Sequence, residues 1–305
     1  MTNNDMAAWR SIGLSWQDSG QSVLSGNLLA LADRLDHSFA AMARSWGARD
    51  YRFPTFISAA ELNRLDYFRS FPHLVTFPVC LDADETNLER FTREPVTDGG
   101  ELQLTATRPV REVLTPAACY HIYIHEQDRA LDRAHYYTTR NTCFRREQYY
   151  APLRRQWGFA MREIVCVGTL DEVKQFLADC RTQVEMLLAV AGIPVAWTAA
   201  TDPFFQPSKS AKYIAQRVNP TKTEAVFGGD LAIASVNLHQ DHFGHTFRIS
   251  RRGAPSFSGC VAFGIERWLH AIVATHGFDA ARWPSFPASY AREPEVRDAP
   301  ERGEP

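Results

Sequence analysis

The sequence predicts an α+β fold in which an antiparallel β-sheet is flanked by helices. Three observations support this fold class. Residues 136–168 contain two apolar segments joined by a polar loop, a pattern typical of a β-hairpin. Residues 170–191 place apolar side chains at the i, i+3, i+4 spacing of a helix. Residues 258–275 begin with a glycine-rich strand that leads directly into a helix.

The composition limits the class of protein. The chain has 305 residues, of which 45% are hydrophobic and 22% are charged, as expected for a soluble globular protein. A net charge of −2 argues against nucleic-acid binding through bulk electrostatics. No apolar run is long enough to cross a bilayer, and the N-terminus lacks the pattern of a secretory signal. The six cysteines include no CxxC pair, so we expect free or metal-bound thiols in a cytoplasmic protein.

The part of the chain before the hairpin predicts mainly helices. Residues 1–48 carry leucines at helical spacing, and Gly47 would end that segment. A second helix is predicted over 59–69, with Ser58 as its N-cap. The remaining predictions here are a strand with a proline over 70–75, a polar loop over 82–101 and a buried strand over 114–123.

The part after the hairpin predicts a long helix and two strands. Gly192 and Pro194 would end the helix that starts at residue 170. An irregular aromatic turn follows at 200–205. The strand over 232–239 carries a polar face made of Ser235, Asn237 and His239. Between the turn and this strand lies a basic run, Lys209, Lys212, Arg217 and Lys222, which is either a solvated helix face or a binding surface.

These elements suggest three parts of the chain. We predict an N-terminal helical segment over 1–48 and one large domain over 49–291. The large domain would include a helical insertion at about 170–222. Residues 292–305 are rich in proline, glutamate and arginine, which predicts a disordered tail.

Two short motifs resemble signatures of the class II aminoacyl-tRNA synthetases. Motif 2 of that family reads Phe-Arg-x-Glu, a variable loop, then Phe-x-x-x-Glu, and this chain has Phe144-Arg145-Arg146-Glu147 followed by Phe159-Ala160-Met161-Arg162-Glu163. Motif 3 of the family is a glycine-rich strand that leads into a helix carrying an arginine. The segment of this chain that resembles it is Ser258-Gly259-Cys260-Val261-Ala262-Phe263-Gly264-Ile265-Glu266-Arg267. The helix and strand at 59–75 resemble motif 1, which forms the dimer interface in the family. The resemblance therefore implies a class II catalytic domain, built on an antiparallel sheet flanked by helices, and a homodimer.

The resemblance also implies roles for individual residues in ATP binding and catalysis. Arg145 would hold the α-phosphate and the reacting carboxylate, and Arg267 would hold the γ-phosphate and stack on adenine. Phe159 would stack on the other face of adenine. Glu147 would either accept hydrogen bonds from the adenine amine or orient the loop. Arginine suits this work because its planar guanidinium binds phosphate oxygens in pairs. Magnesium is implied with ATP, and both Glu224 and Asp230 are candidates for its carboxylate ligand.

Within class II, the chain resembles the amino acid:[carrier protein] ligases. It shows neither the long coiled-coil arm of seryl-tRNA synthetases nor a separate anticodon-binding domain. The ligases activate a small amino acid, usually glycine or alanine, and load it onto the phosphopantetheine thiol of a carrier protein. The stretches that carry this resemblance are 66–74, 116–120, 161–163 and 232–237. A carrier protein is therefore the expected partner, and tRNA is not.

The same resemblance implies a catalytic zinc held by Cys119, Glu163 and Cys260. The zinc-dependent seryl enzymes and the carrier-protein ligases use a Cys, a Glu and a Cys at these places. The alternative is that both cysteines are buried apolar residues, as free cysteines usually are. Three protein ligands would leave a fourth position for the substrate's amino group, next to Ser235 and Asn237 as further substrate-binding residues.

Two other functions stay open from the sequence. One is an aminoacyl-tRNA ligase that receives tRNA without a dedicated arm. The other is a non-catalytic relative of the synthetases that binds a partner or a metabolite. The second is weakened because Arg145, Glu147 and Arg267 are all present.

Overall fold

A seven-stranded sheet lies at the centre of the computed structural model, which describes residues 3–290. The helices of the described residues are α1 Asn3–Ser11, α2 Gly26–Ser45, α3 Ala59–Arg64, α4 Tyr67–Ser70, α5 Glu85–Arg93, α6 Tyr120–His125, α7 Leu170–Ala191, α8 Ala211–Val218, α9 His242–Phe247 and α10 Ile265–His276. The strands are β1 Leu14–Gln17, β2 Gln21–Leu24, β3 Arg49–Tyr51, β4 Phe56–Ser58, β5 Glu112–Leu114, β6 Ala130–Leu131, β7 His135–Phe144, β8 Gly158–Gly168, β9 Val195–Ala199, β10 Lys222–Phe227, β11 Leu231–Gln240, β12 Ser250–Arg251, β13 Ala254–Pro255 and β14 Phe257–Gly264.

The order of the strands in the large sheet is β3-β7-β8-β14-β11-β10-β9. Every neighbouring pair is antiparallel except β3 and β7, which run parallel at one edge. Helices α2, α7 and α10 pack on the sheet. The predicted α+β class, an antiparallel sheet flanked by helices, is therefore confirmed.

The two faces of the sheet have different chemistry because side chains alternate along each strand. Ile164 and Cys166 of β8 belong to the apolar core shared with α2, α7 and α10. Glu163 and Cys260 lie on the opposite face, where β8 and β14 pair with Glu163 opposite Ala262 and Cys260 opposite Val165. A shift of one residue in this register would exchange the two faces.

The longest predicted elements are confirmed. The hairpin of β7 and β8 pairs His135 with Val167 and Phe144 with Gly158. Helix α7 has the predicted bounds. Thr169 and Glu172 form a capping box at its start, and Gly192 ends it in the left-handed conformation.

The prediction that residues 1–48 are helical throughout is wrong for residues 14–24. Helices α1 and α2 are separated by the hairpin of β1 and β2. Glycines at the junctions allow this path, since Gly13 and Gly20 have positive φ values of 109° and 88°. A Cβ at Gly13 would also lie 1.9 Å from the carbonyl oxygen of Ser25, so a longer side chain does not fit there.

Three further local predictions are wrong. Residues 70–75 contain a 3₁₀ turn at Pro72–Leu74 and not a strand. A helix, a strand and a proline do follow one another earlier in the chain, at α2, β3 and Pro54. The predicted loop at 82–101 contains α5, which the side chain of Asp84 caps. The predicted strand at 114–123 ends at Leu114 and gives way to α6, because an apolar run this short fits either structure. The predicted helix over 59–69 is present but interrupted at Asp66, which has a φ of 58°.

The division into three parts remains a prediction. The stretch 170–222 contains α7 and α8 but also β9, which forms the outer strand of the sheet. The predicted disordered tail, 292–305, lies outside the described residues. Among helices of the described residues, none is long and apolar enough to span a membrane.

Candidate active site

A cleft of about 600 Å³ lies over the polar face of the sheet. Strands β8, β10, β11 and β14 supply its floor. Its walls come from helices α4, α6, α8 and α9 and from the turn that contains Asp202 and Phe204. All the site residues predicted from the sequence line this cleft except Asp230.

The three predicted metal ligands lie together at the floor of the cleft. One ligand atom from each of Cys119, Glu163 and Cys260 lies within 4.8 Å of the other two, and all three side chains are buried. Glu163 and Cys260 come from adjacent strands, on the same face. Cys119 immediately precedes α6, which packs against α9 across the same core cluster. No other cluster of this kind occurs among residues 3–290.

Burial and the contacts among the three triad side chains shift the pKa of each of them. Burial raises the pKa of Glu163 to about 8, and the neighbouring Cys260 adds to that shift. A hydrogen bond from Cys119 lowers the pKa of Cys260, while the same bond and burial raise the pKa of Cys119. Oε2 of Glu163 is buried without a hydrogen-bond partner among the described residues. Such an unpartnered carboxylate oxygen costs free energy unless a ligand satisfies it.

Polar residues of β11 surround Cys260. Asn237 lies directly opposite Cys260 in the strand register, and its Nδ2 donates to Oγ of Ser235 at 3.0 Å. His239 was noted in the sequence only as part of a polar strand face. Its Nε2 lies 3.5 Å from Sγ of Cys260, and its Nδ1 lies 3.0 Å from the hydroxyl of Tyr123. Alternation along β11 is the signal that could have placed His239 in the site with Ser235 and Asn237.

The predicted ATP-binding residues also line the cleft. The guanidinium of Arg145 lies 5.3 Å from the centre of the Phe159 ring, and its Nε donates to the carbonyl of Pro116 at 3.0 Å. Arg267 donates to the carbonyl oxygens of Arg154 and Ala232, each at 3.0 Å. Backbone acceptors therefore hold both guanidinium groups, and among residues 3–290 neither group forms a salt bridge with a carboxylate.

Several positive charges converge on this end of the cleft. Burial lowers the pKa of Arg267, and the charges of Arg145 and Arg155 lower it further. Arg155 itself pairs with Glu147 at 2.6 Å. Like charges gathered at a cleft attract an anion, so this end of the cleft suits a polyphosphate.

The structure separates the two carboxylates that the sequence could not choose between. Glu224 lines the cleft and pairs with Nζ of Lys222 at 3.1 Å. Asp230 does not line it. Its carboxylate is 69% exposed and accepts two hydrogen bonds from Arg154, at 2.7 and 2.8 Å.

The predicted basic run does not form a single surface. Lys222 is only 18% exposed and lies inside the cleft, between Asp202 and Glu224. Lys212 is exposed and pairs with Asp66 at 3.0 Å. Asp202 was missed in the sequence because only the folded turn brings it to Lys222. Its pKa is held below the ordinary value by Lys222 and by Gln216, against the opposing effect of burial.

Comparison with known proteins places this geometry in a family. The profile of the tRNA synthetase class II core domain (G, H, P, S and T) matches residues 109–276, which is more than half of the chain. The chain belongs to the class II tRNA synthetase core family. The matched region of this class II chain contains the triad, Arg145, Phe159 and Arg267.

Two curated relatives narrow the position within class II. They are the amino acid--[acyl-carrier-protein] ligases 1 and 2 of Bradyrhizobium diazoefficiens. Ligase 1 is 33% identical over 79% of this chain and 76% of its own length, and ligase 2 is 32% identical over 76% and 71%. The class II chain is therefore an enzyme of the ligase type and groups with these proteins. A type-2 serine--tRNA ligase of Methanopyrus kandleri is 22% identical over 87% of this chain and 55% of its own length.

The fold comparison agrees with the family. The M. kandleri SerRS, solved in complex with A. aeolicus tRNASec, superposes with a TM-score of 0.78 at 20% identity. The match covers 93% of this chain and 59% of that structure, so the class II chain spans well under two thirds of the solved protein. At this identity the likeness shows the fold alone.

Proposed function

We propose that this ligase activates a small amino acid with ATP and transfers it to the phosphopantetheine thiol of a carrier protein. The observation that carries the proposal is that one cleft contains both the converging arginines and the buried Cys–Glu–Cys triad. The arginines suit the phosphates of a nucleoside triphosphate, and the triad suits the amino group of an amino acid. The relatives named amino acid--[acyl-carrier-protein] ligase support the choice of acceptor.

Each step has a balanced chemistry. In the first step, a carboxylate oxygen of the amino acid attacks the α-phosphorus of ATP, and pyrophosphate leaves to give an aminoacyl-adenylate. In the second step, the thiol sulfur attacks the carbonyl carbon, its proton is lost, and AMP leaves as the thioester forms. The first step gathers negative charge at phosphorus, so it depends on positioned positive groups. Arg145 and Arg267 are the residues that we assign to this role, with Phe159 stacking on adenine and Glu147 accepting from its amine.

We propose that the triad is a zinc site that binds the α-amino group of the substrate. Two sulfurs and one carboxylate oxygen form a donor set that zinc accepts, and a cation would satisfy the unpartnered Oε2 of Glu163. When bound, zinc would supply a Lewis-acid position for the uncharged α-amine. Asn237 and Ser235 would orient the substrate beside it. A small amino acid, such as glycine or alanine, is proposed from the resemblance to the amino acid:[carrier protein] ligases.

Magnesium would enter with ATP, and Glu224 is the carboxylate that we assign to it. Glu224 lines the cleft, whereas Asp230 is bound by Arg154 outside it. Lys222 is paired with Oε1 of Glu224, so Oε2 is the oxygen that we assign to the cation.

The carrier protein, the homodimer and the cytoplasmic location remain predictions. Carrier proteins are usually acidic, so exposed Lys212 and neighbouring cations of α8 could steer the encounter. Lys222 cannot take part in that steering because it lies inside the cleft. The homodimer was predicted from the helix and strand at 59–75, where the strand is absent. Because a helix, a strand and a proline follow one another at α2, β3 and Pro54, we propose that element for the dimer interface instead.

Pyrophosphate exchange over all standard amino acids tests the first step. The purified protein is incubated with ATP, labelled pyrophosphate and one amino acid at a time. We expect label to enter ATP with glycine or alanine and with few others. No exchange with any amino acid, from folded protein loaded with zinc, would contradict the proposal.

A further inference from the structure

The N-terminal hairpin reaches the loop that joins β7 and β8. The backbone N–H of Trp157 donates to the carbonyl of Gly20 at 2.8 Å, and Oγ of Ser22 donates to Oε1 of Gln156 at 2.5 Å. Gly20 also lies against the ring of Tyr150, where a Cβ would approach within 2.5 Å. The tip of β1 and β2 is thus fitted to this loop, although the hairpin lies outside the matched family region.

Gln156 of this loop is a buried polar residue that also lines the cleft. Its side chain is 5% exposed. The amide is oriented with Oε1 towards Ser22, whose hydroxyl donates to it. The amide nitrogen Nε2 is buried and has no hydrogen-bond partner among the described residues. A buried donor left unpaired costs free energy that a ligand acceptor would recover.

The neighbours of Gln156 belong to the polyphosphate end of the cleft. Arg155 binds Glu147, and the carbonyl of Arg154 accepts from Arg267. Contacts with the rest of the protein hold the loop in place both before and after Gln156. Leu153 is fully buried with a φ of 58°, and the indole of Trp157 donates to Oγ1 of Thr76 at 2.8 Å. The free donor of Gln156 is therefore held rigidly next to the residues assigned to ATP.

We propose that Gln156 is a further nucleotide-binding residue, whose free Nε2–H donates to an acceptor of bound ATP. Ser22 is a positioning residue that holds the amide in the orientation required. The N-terminal hairpin is then part of the nucleotide site. This inference rests on the ATP site of the proposed function, but it does not depend on which amino acid or acceptor is used.

The test measures binding of a non-hydrolysable ATP analogue to the full chain by titration calorimetry. It compares wild type with Gln156→Met, Gln156→Glu and Ser22→Ala. Gln156→Met removes the amide at similar length, and Gln156→Glu keeps the acceptor for Ser22 but loses the donor. Ser19→Ala in the turn of the same hairpin is the control, because Ser19 is exposed and its hydroxyl accepts from Gln21 within the hairpin. Melting temperatures check that each variant is folded.

Loss of one hydrogen bond predicts that Gln156→Met binds the analogue about three- to ten-fold more weakly. Gln156→Glu should weaken binding at least as much, because it also adds a negative charge near the phosphates. Ser22→Ala should weaken it less, and Ser19→Ala should not change it. In exchange assays the KM for ATP should rise, while the KM for the amino acid changes by less than about two-fold. Unchanged analogue binding in both folded Gln156 variants would overturn the proposal, as would an equal rise in both KM values. A wild type that binds the analogue but activates no amino acid would contradict the proposed reaction and leave this inference standing.

Discussion

The side-chain nitrogen of Asn237 lies 3.3 Å from the sulfur of Cys260. The two residues are directly paired across β11 and β14, so the sheet register fixes this contact. A donated hydrogen bond stabilises the thiolate form, and His239 acts on the same sulfur from 3.5 Å. Together with the hydrogen bond from Cys119, these contacts lower the pKa of the Cys260 thiol below its ordinary value, which favours the thiolate that a metal ion binds.

We predict about one zinc per chain, held by Cys119, Glu163 and Cys260. Cys119→Ser and Cys260→Ser should each lose the metal and amino-acid activation together. Metal analysis by mass spectrometry, beside pyrophosphate exchange, checks this. Cys80→Ser is the matched control, since Cys80 is exposed and outside the triad. Cys143, Cys166 and Cys180 should have no part in metal binding. A fully active wild type that contains no zinc would exclude the idea.

We predict that Arg145→Ala and Arg267→Ala each reduce pyrophosphate exchange by at least about 100-fold, because each removes a positive group from the site of charge development. Arg146→Ala is the control, since Arg146 is exposed and its side chain contacts Tyr150. The melting temperature of each variant shows whether the fold is intact. Near-normal exchange in both variants at the predicted positions would mean that the site is wrongly assigned.

We predict that Glu224→Gln raises the magnesium concentration for half-maximal exchange by roughly ten-fold or more, because it removes a charged oxygen ligand. Asp230→Asn should leave that concentration unchanged, although it weakens the contact to Arg154. The measurement is a magnesium titration at fixed ATP. A larger effect from Asp230→Asn than from Glu224→Gln would reverse the assignment.

The sequence predicted the elements whose signals are local. Helix α7 carries its own capping box at Thr169 and its own stop at Gly192, so its bounds follow from neighbouring residues. The hairpin of β7 and β8 is likewise specified by its alternation and its polar loop. The triad was predicted from the resemblance to the zinc-dependent seryl enzymes and the carrier-protein ligases, and only the fold brings its three members together.

Elements that depend on distant contacts were missed. The hairpin at 14–24 is stabilised by bonds from Gly20 to Trp157 and from Ser22 to Gln156, which no local pattern reveals. The run around Cys119 is short and apolar, so strand and helix were equally compatible with it. Asp202 joins the site only through the turn that carries it to Lys222.

We predict that Glu266 makes the fold less stable as pH rises. Burial raises its pKa to about 7 from an ordinary 4.5, even though the N–H of Ala160 donates to its carboxylate. The folded state therefore keeps a proton that the unfolded state releases first. The contribution to stability is complete below about pH 4.5 and is lost as pH rises through 7.

The shift corresponds to at most roughly 3 kcal/mol of unfolding free energy. Urea unfolding between pH 5 and 8 should show the wild type losing stability relative to Glu266→Gln, which keeps the shape and the acceptor for Ala160. A difference between the two proteins that stays constant with pH would refute this prediction.

Transfer of the activated amino acid to an acceptor tests the central claim most directly. The enzyme is incubated with ATP and a labelled amino acid that supports exchange, and with one of three acceptors. These are a phosphopantetheinylated carrier protein, the same carrier without phosphopantetheine, and total tRNA. We predict label only on the phosphopantetheinylated carrier, in a bond that neutral hydroxylamine cleaves as it cleaves a thioester. Label on tRNA and none on that carrier would contradict the account.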